Sequence, residues 1–286
     1  MFDSIIIGAG PAGISASLYL KRANKNVLVL YYGLSELEKA HQIDNYYGFE
    51  KGITGKDLYL AGINQAKNLE IPVKNEEVLN IVMNENFYYN VVTENETYEA
   101  KTIILATGNK RLKPNIPGIK EYDGKGISYC AICDGFFYRK KKVAVLGNSR
   151  YALEEAAELS NVTSDVYILT DGKELEGESS FTVIDKEIQA ITGDDRVRAV
   201  LFTDGTSFSL DDLFVAEGIS GGANFAKKLG IYMEGDKIVA DDGMATNVPG
   251  IYVCGNLAGG LLQVNKAVYE GAVAGLSAVK YINEKR

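Results

Sequence analysis

Ser4-Ile5-Ile6-Ile7-Gly8-Ala9-Gly10-Pro11-Ala12-Gly13 is the stretch that decides the fold. Ser4 to Gly8 reads as a short strand buried on both faces, since its apolar run does not alternate. The three glycines have separate duties. Gly8 permits a tight turn, Gly10 lets the backbone approach a pyrophosphate, and Gly13 lets helix and strand pack closely. Ile14, Ala16, Leu18 and Leu20 follow in a helical segment ending near Asn24, and Val27 to Tyr31 is the next strand. Strand, tight turn, helix and strand in about 30 residues turn a weak glycine pattern into a dinucleotide fingerprint. The helix N-terminus then directs partial positive charge at the phosphates. The acid expected after the second strand is absent. Tyr31 and Tyr32 stand there, so ribose recognition falls to aromatic stacking or backbone groups.

Further along, Gly55 to Leu69 is helical in pattern. Val73–Met83, Phe87–Val92 and Thr97–Ala100 read as a small antiparallel meander, and Lys101 to Gly108 as a buried strand ending in a glycine turn. Pro114 and Pro117-Gly118 mark a break. The opening unit then recurs: strand Lys142–Gly147, a helix to about Ser160, strand Val166–Leu169. Asp194–Phe208 reads as a hairpin and Leu213–Ala216 as a strand. After a second break at Ala245–Pro249 come the strand Gly250–Asn256 and an Ala- and Gly-rich helix from about Gln263 to Ile282. The fold class is therefore α/β with two Rossmann-like nucleotide-binding domains. Residues 1–113 and 246–286 form a discontinuous first domain, and 114–245 an inserted second one.

The second unit has lost its nucleotide signature. Its turn reads Gly147-Asn148-Ser149-Arg150-Tyr151-Ala152, keeping only the first glycine. Ser149 puts a Cβ at the pyrophosphate contact and Tyr151 adds bulk. Asp171, after the next strand, would repel a 2′-phosphate by about 3 kcal/mol per unit charge pair at ~5 Å and an effective dielectric near 20. Asp171 could instead accept a bond from an NADH ribose hydroxyl, which keeps an NADH-linked alternative open.

Cys130 and Cys133, in Tyr129-Cys130-Ala131-Ile132-Cys133-Asp134-Gly135, are two thiols able to close and reopen a small disulfide. Asp134 follows at once to move the protons this exchange requires. A zinc site would need a second CxxC or a histidine pair, and the chain has neither. Cys254, in an apolar strand, reads as a packed core thiol. A single histidine, His41, argues against a His-rich metal site or a Ser-His-Asp triad and reads as a surface or loop residue.

The chain has 286 residues, 46 % of them hydrophobic, enough for about two cored domains. A net charge of −8 argues against nucleic acid as a partner. Three cysteines in a chain this long suit a reducing compartment. Met1-Phe2-Asp3-Ser4 carries no basic region ahead of its apolar run, and no stretch approaches the ~18 apolar residues of a membrane span. A cytoplasmic protein without signal peptide or membrane partner is expected.

These motifs together make the chain resemble the low-molecular-weight thioredoxin reductases over nearly its whole length. The likeness rests on Gly8-x-Gly10-Pro11-Ala12-Gly13, Ala106-Thr107-Gly108, Cys130-x-x-Cys133-Asp134-Gly135, and Gly250 to Asn256 with Gln263. It implies FAD in the first domain, a homodimer, and two domains that rotate relative to each other. Tyr31, Tyr32, Asn45, Val78, Gly255, Asn256, Gln263 and Val264 complete the candidate cofactor contacts. By resemblance Cys133 faces the flavin, Cys130 attacks the disulfide of thioredoxin, and Asp134 relays protons. Three departures are informative. The NADPH signature is replaced as described, the Gly-Gly-Gln near the flavin becomes Leu34-Ser35-Glu36, and the terminal Gly-Asp becomes Gly255-Asn256. Loss of the pyridine-nucleotide residues with retention of the cysteines is similar to the ferredoxin-dependent flavin thioredoxin reductases, which implies reduced ferredoxin as donor. Ferredoxins are acidic, so docking calls for a basic patch, for which Arg139-Lys140-Lys141-Lys142 and Lys110-Arg111-x-Lys113 are candidates. Another disulfide protein as substrate, or a flavin-bearing interaction protein without turnover, are the readings that compete with it.

Overall fold

The computed structural model describes residues 1–33, 35–108, 114–128, 138–216, 221–235 and 237–285. The chain divides into two compact units, Met1–Lys110 with Gly221–Arg286, and Arg111–Ser220. Among the described residues no helix is long and apolar enough to cross a membrane.

In the first unit β1 (Phe2–Ile7) leads through the glycine turn to α1 (Pro11–Arg22) and back to β2 (Val27–Tyr31). β1 and β2 pair in parallel, from Ser4 opposite Val27 to Ile7 opposite Leu30. The helix α2 (Gly55–Asn68) starts at Thr54, whose Oγ1 accepts the Asp57 N–H at 3.0 Å. It is followed by β3 (Val73–Asn75), β4 (Val78–Met83), β5 (Tyr89–Thr93) and β6 (Thr97–Leu105). The meander is real for β4, β5 and β6, which pair antiparallel. Residues 73–75 do not belong to it. β3 continues the parallel ladder beside β2, because the free edge of β2 takes the Glu76 N–H on the Tyr31 carbonyl at 2.9 Å.

The second unit begins with β7 (Ile127–Ser128), β8 (Val143–Leu146), α3 (Arg150–Ser160) and β9 (Val166–Leu169). Then come β10 (Thr182–Ile184), β11 (Ile188–Gly193), β12 (Val197–Phe202), β13 (Ser207–Ser209) and β14 (Asp212–Val215). A parallel sheet runs β10-β9-β8-β14-β7, and β11-β12-β13 form a separate antiparallel sheet. The expected hairpin is thus part of a three-stranded sheet, and β10 is an edge strand that the sequence pattern did not reveal.

The chain returns to the first unit with α4 (Gly222–Lys228), β15 (Met233–Glu234), β16 (Lys237–Ile238), β17 (Ile251–Val253) and α5 (Val264–Glu284). The second crossing therefore lies at Ser220/Gly221, not at Ala245–Pro249. Burial is the cause: Phe225, Ala226, Ile231 and Ile238 share one core with Ile5, Leu30 and Val253. Pro249 is a turn inside that unit, its carbonyl accepting the buried Tyr89 hydroxyl at 2.5 Å. β6 proves to be one nine-residue strand. One edge pairs with β1 from Ala100 to Leu105, while the other takes β5 near Thr97–Ala100 and β17 at Ile103–Leu105. Both faces of this sheet are covered. Ile6, Val29 and Ile104 pack with α1, α2 and α5, and Ile5, Leu28 and Ile103 pack on the opposite side. This two-sided burial is why β1 and β2 read as unbroken apolar runs.

Candidate functional site

Gly8, Ala106 and Cys254 each end one of three neighbouring parallel strands. The Ala106 N–H donates to Ile7 O at 2.8 Å and the Cys254 N–H to Leu105 O at 3.0 Å. The loops that follow, Gly8–Gly13, Ala106–Gly108 and Gly255–Asn256, are thereby gathered at the carboxyl edge of the sheet, where open α/β folds bind ligands.

Each glycine of the first loop has the environment its duty requires. At Gly8 (φ +115°) a Cβ would collide with the Ala106 carbonyl. At Gly13 it would collide with the carbonyl of Gly8, so this glycine lets helix and strand touch. At Gly10 it would meet nothing within 4 Å, and the backbone there is ordinary extended chain. The first two glycines serve the protein's own packing, whereas Gly10 leaves open the approach to the start of α1. Pro11 stands in the first turn of α1, and no side chain caps that helix.

A second uncapped helix start lies against the first. α5 begins at Val264 after Gln263 with no side-chain cap, and the Gln263 side chain accepts from Asn45 Nδ2 at 3.1 Å. At Gly255 (φ +76°) a Cβ would be 3.0 Å from Ala12 Cβ and 3.9 Å from Ala267 Cβ, so the first turns of α1 and α5 flank this residue. The helices stay close because Gly271 and Gly275 face the carbonyls of Ala12 and Ala16, where side chains would collide or crowd, and because Ser15 Oγ donates to Val268 O at 2.7 Å. Two N-termini with unbonded N–H groups suit the phosphates and polar ring edge of a dinucleotide. The half-buried Asn256 amide has no partner among the described residues and offers a further donor and acceptor. The residues present therefore fit FAD.

The other candidates are spread around this edge. Tyr31 is half-buried at the end of β2, and Tyr32 beyond it is exposed. Thr107 Oγ1 accepts the N–H of Gly222 at 3.0 Å, tying the strand end to α4. Val78 is buried in the sheet core, so only its backbone can serve a ligand. His41 is exposed, as expected. Lys266 and Glu270 were missed. Their spacing of four on a helix of small residues was the available signal. They form an ion pair of 2.8 Å, and Glu270 Oε2 also accepts the Gly255 N–H at 2.9 Å. Cys254 is a wholly buried free thiol whose pKa is pushed far up by burial and, secondarily, by the charge of Glu270.

Cys130, Cys133 and Asp134 lie outside the described residues, as do Lys110, Arg111 and Lys113. Of the other basic run, Lys141 is paired with Asp212 at 2.8 Å and Lys142 sits 4.1 Å from the centre of the Phe208 ring. Only Arg139 and Lys140 of that run are exposed.

In the second unit, the turn after β8 is drawn to its own chain. Asn148 Nδ2 donates to Glu174 O at 2.9 Å, and the Glu176 N–H donates to Asn148 O at 2.8 Å. Asp171 Oδ1 accepts the N–H of Ile188 at 2.7 Å. A crevice of about 510 Å³ beside this loop is lined by Lys173, Glu174 and Asp185 among others. Tyr151 does not crowd the turn as expected. It is buried in the core with Val143, Leu159 and Phe214, because its place in the first turn of α3 faces the sheet.

Comparison with known proteins agrees with this geometry. The family model of the pyridine nucleotide-disulphide oxidoreductases matches residues 2–271. A thioredoxin reductase of Listeria innocua is 31 % identical, covering 99 % of this chain and 95 % of its own. The crystal structure of the atypical thioredoxin reductase TRi from Desulfovibrio vulgaris Hildenborough superposes with a TM-score of 0.93 at 36 % identity, over 100 % of this chain and 99 % of that one. That of a ferredoxin-flavin thioredoxin reductase from Clostridium acetobutylicum gives 0.71 at 33 %, over 99 % and 98 %. With two Rossmann-like units and a fitting cradle, the chain belongs to the pyridine nucleotide-disulphide oxidoreductase family, among its thioredoxin reductases, and is an FAD-binding flavoprotein disulphide oxidoreductase.

Proposed function

We propose that this protein reduces the disulphide of thioredoxin through the Cys130–Cys133 dithiol, with electrons from reduced ferredoxin rather than from a nicotinamide. The observation that carries the donor is the state of the second nucleotide turn. Asn148, in the turn that follows β8, and the loop at Glu174–Glu176 are bonded to each other. The acid that could bind an NADH ribose, Asp171, already receives the Ile188 N–H. Likeness to the clostridial ferredoxin-flavin enzyme supports the same donor.

In this reading Gly8, Gly10, Pro11, Ala12 and Gly13 hold the pyrophosphate side of FAD. Tyr31, Tyr32, Asn45 and the Val78 backbone, with Ala106–Gly108, Gly255, Asn256, Gln263 and Val264, line the rest of the site. FAD supplies a centre that takes electrons singly and passes them on in pairs. The Cys130 thiolate attacks the thioredoxin disulphide to give a mixed disulphide. The Cys133 thiolate then displaces the reduced thioredoxin, closing Cys130–Cys133 and leaving two electrons and two protons on the product. Asp134 moves those protons. Arg139 and Lys140 are exposed in the described part of the basic run and are candidate docking charges. Exposed Tyr269 and Leu276, one face of α5, and Tyr19 on α1 support pairing of two copies, and a reducing cytoplasm suits the dithiol.

Rapid mixing of the oxidised protein with NADPH, NADH or reduced ferredoxin tests the donor. Ferredoxin alone should bleach the flavin band fully. Fast and complete bleaching by either nicotinamide would overturn it.

A further inference from the structure

Lys266 and Glu270 sit one turn apart on α5, with side chains only 15 % and 11 % exposed. Among the described residues, the hydrogen bonds of their charged ends, beyond the pair itself, fall on one turn. Lys266 Nζ donates to Gly255 O at 2.9 Å and to Gly259 O, and Glu270 Oε2 receives the Gly255 N–H at 2.9 Å. Both polar backbone groups of Gly255 are thus held by a charged partner. Gly255 itself is left-handed and closed in by Ala12, so it has no side chain with which to fix its own shape. The next residue is Asn256, whose amide has no partner among the described residues.

We propose that Lys266 and Glu270 are positioning residues for the bound FAD, holding the Gly255–Gly259 turn so that Asn256 and the start of α5 keep the shape the cofactor requires. This rests on the cofactor site as assigned. An exposed pair on a helix face would contribute little. This one is nearly dry, and its bonds are charge-assisted and end on backbone groups of the cradle. Lys266→Met leaves a carboxylate buried without its cation, so the turn loses its clamp and the chain some stability. In the double variant Lys266→Met/Glu270→Gln no buried charge is left, which separates the clamp from a folding defect.

The test uses the holoenzyme, the FAD dissociation constant, the visible spectrum of the bound flavin and the melting temperature of the FAD-free chain. The loss of the charged hydrogen bonds from Lys266 to Gly255 and Gly259 predicts that Lys266→Met weakens FAD binding about tenfold or more and shifts the flavin spectrum. Lys266→Arg, which keeps the cation, should restore both. The double variant should lie within about threefold of Lys266→Met, since the pair acts as one unit. FAD binding within about twofold of the parent in the double variant, with an unshifted spectrum, overturns the inference whatever the melting temperature does. A parent chain that takes up no FAD overturns the cofactor site and this inference with it.

Discussion

Gly10 and Gly13 stand three positions apart in one motif, yet the protein uses them for different ends. A methyl at Gly10 meets open space in an unstrained backbone. Gly10→Ala should leave the stability of the FAD-free chain within about 0.5 kcal/mol. It should nevertheless weaken FAD at least about tenfold, because the methyl occupies the approach of the pyrophosphate. A methyl at Gly13 overlaps the Gly8 carbonyl. Gly13→Ala should cost about 1–3 kcal/mol of stability before any ligand is added. Urea melts of the FAD-free variants and a flavin titration separate the two effects, and unchanged FAD affinity in Gly10→Ala would falsify the cradle. The motif was legible as a pattern. The division of labour needed the carbonyls of Gly8 and Ala106 in place, and spacing does not reveal these. Tyr151 marks the reverse case: its position in the motif suggested a blocked pocket, and only its burial beside Phe214 showed that the ring points elsewhere.

At the scale of elements, the crossing of α1 and α5 gives the site its shape. Gly271 faces the Ala12 carbonyl at the first turn of α1. Gly271→Ala should push the helices apart and cost about 1–3 kcal/mol. It should also lower FAD affinity, because the two helix starts and Gly255 move with it. A thermal melt that does not change would show that the crossing is looser than this contact requires. The Ala and Gly content of α5 was visible in the sequence, but its partner was not. Some 250 residues separate Ser15 from Val268, which it binds. β3 was assigned to the wrong partner and α4 failed to appear for a related reason. Three residues at a parallel edge and seven in a helix carry too little periodic pattern, and each exists because a neighbour takes its hydrogen bonds or buries its face.

For the whole molecule, buried titratable groups set the alkaline limit. The Cys254 thiol is raised from 9.0 by burial, and Tyr59 and Tyr252 are raised from 10.0 to about 12, chiefly by burial. A raised acid stays protonated in the folded chain after the unfolded chain has lost its proton. Stability from these groups is therefore complete below about pH 9 and declines as pH rises further. Urea midpoints across that range should fall, and Cys254→Ala should flatten the part of the decline nearest the unfolded thiol value. A midpoint independent of pH through the alkaline range would contradict the burial of these groups. Alkylation of the reduced protein should label Cys130 in the native state and Cys254 only after unfolding. Native labelling of Cys254 would mean that the β17 edge opens.

By itself the sequence determined the α/β class, the repeated strand–turn–helix–strand unit and the dinucleotide fingerprint, because each is written in contiguous residues whose spacing has a direct physical meaning. It did not determine where the chain leaves the inserted unit. A turn at Pro249 looks like a boundary until the burial of Phe225 and Ile238 assigns the preceding segment to the first core. Nor could it reveal that Lys266 and Glu270 grip the backbone of Gly255, or that Asn148 and Asp171 are bonded within their own unit. Those facts depend on which backbone groups lie within about 3 Å of a side chain, and folding alone brings together groups that are far apart along the chain.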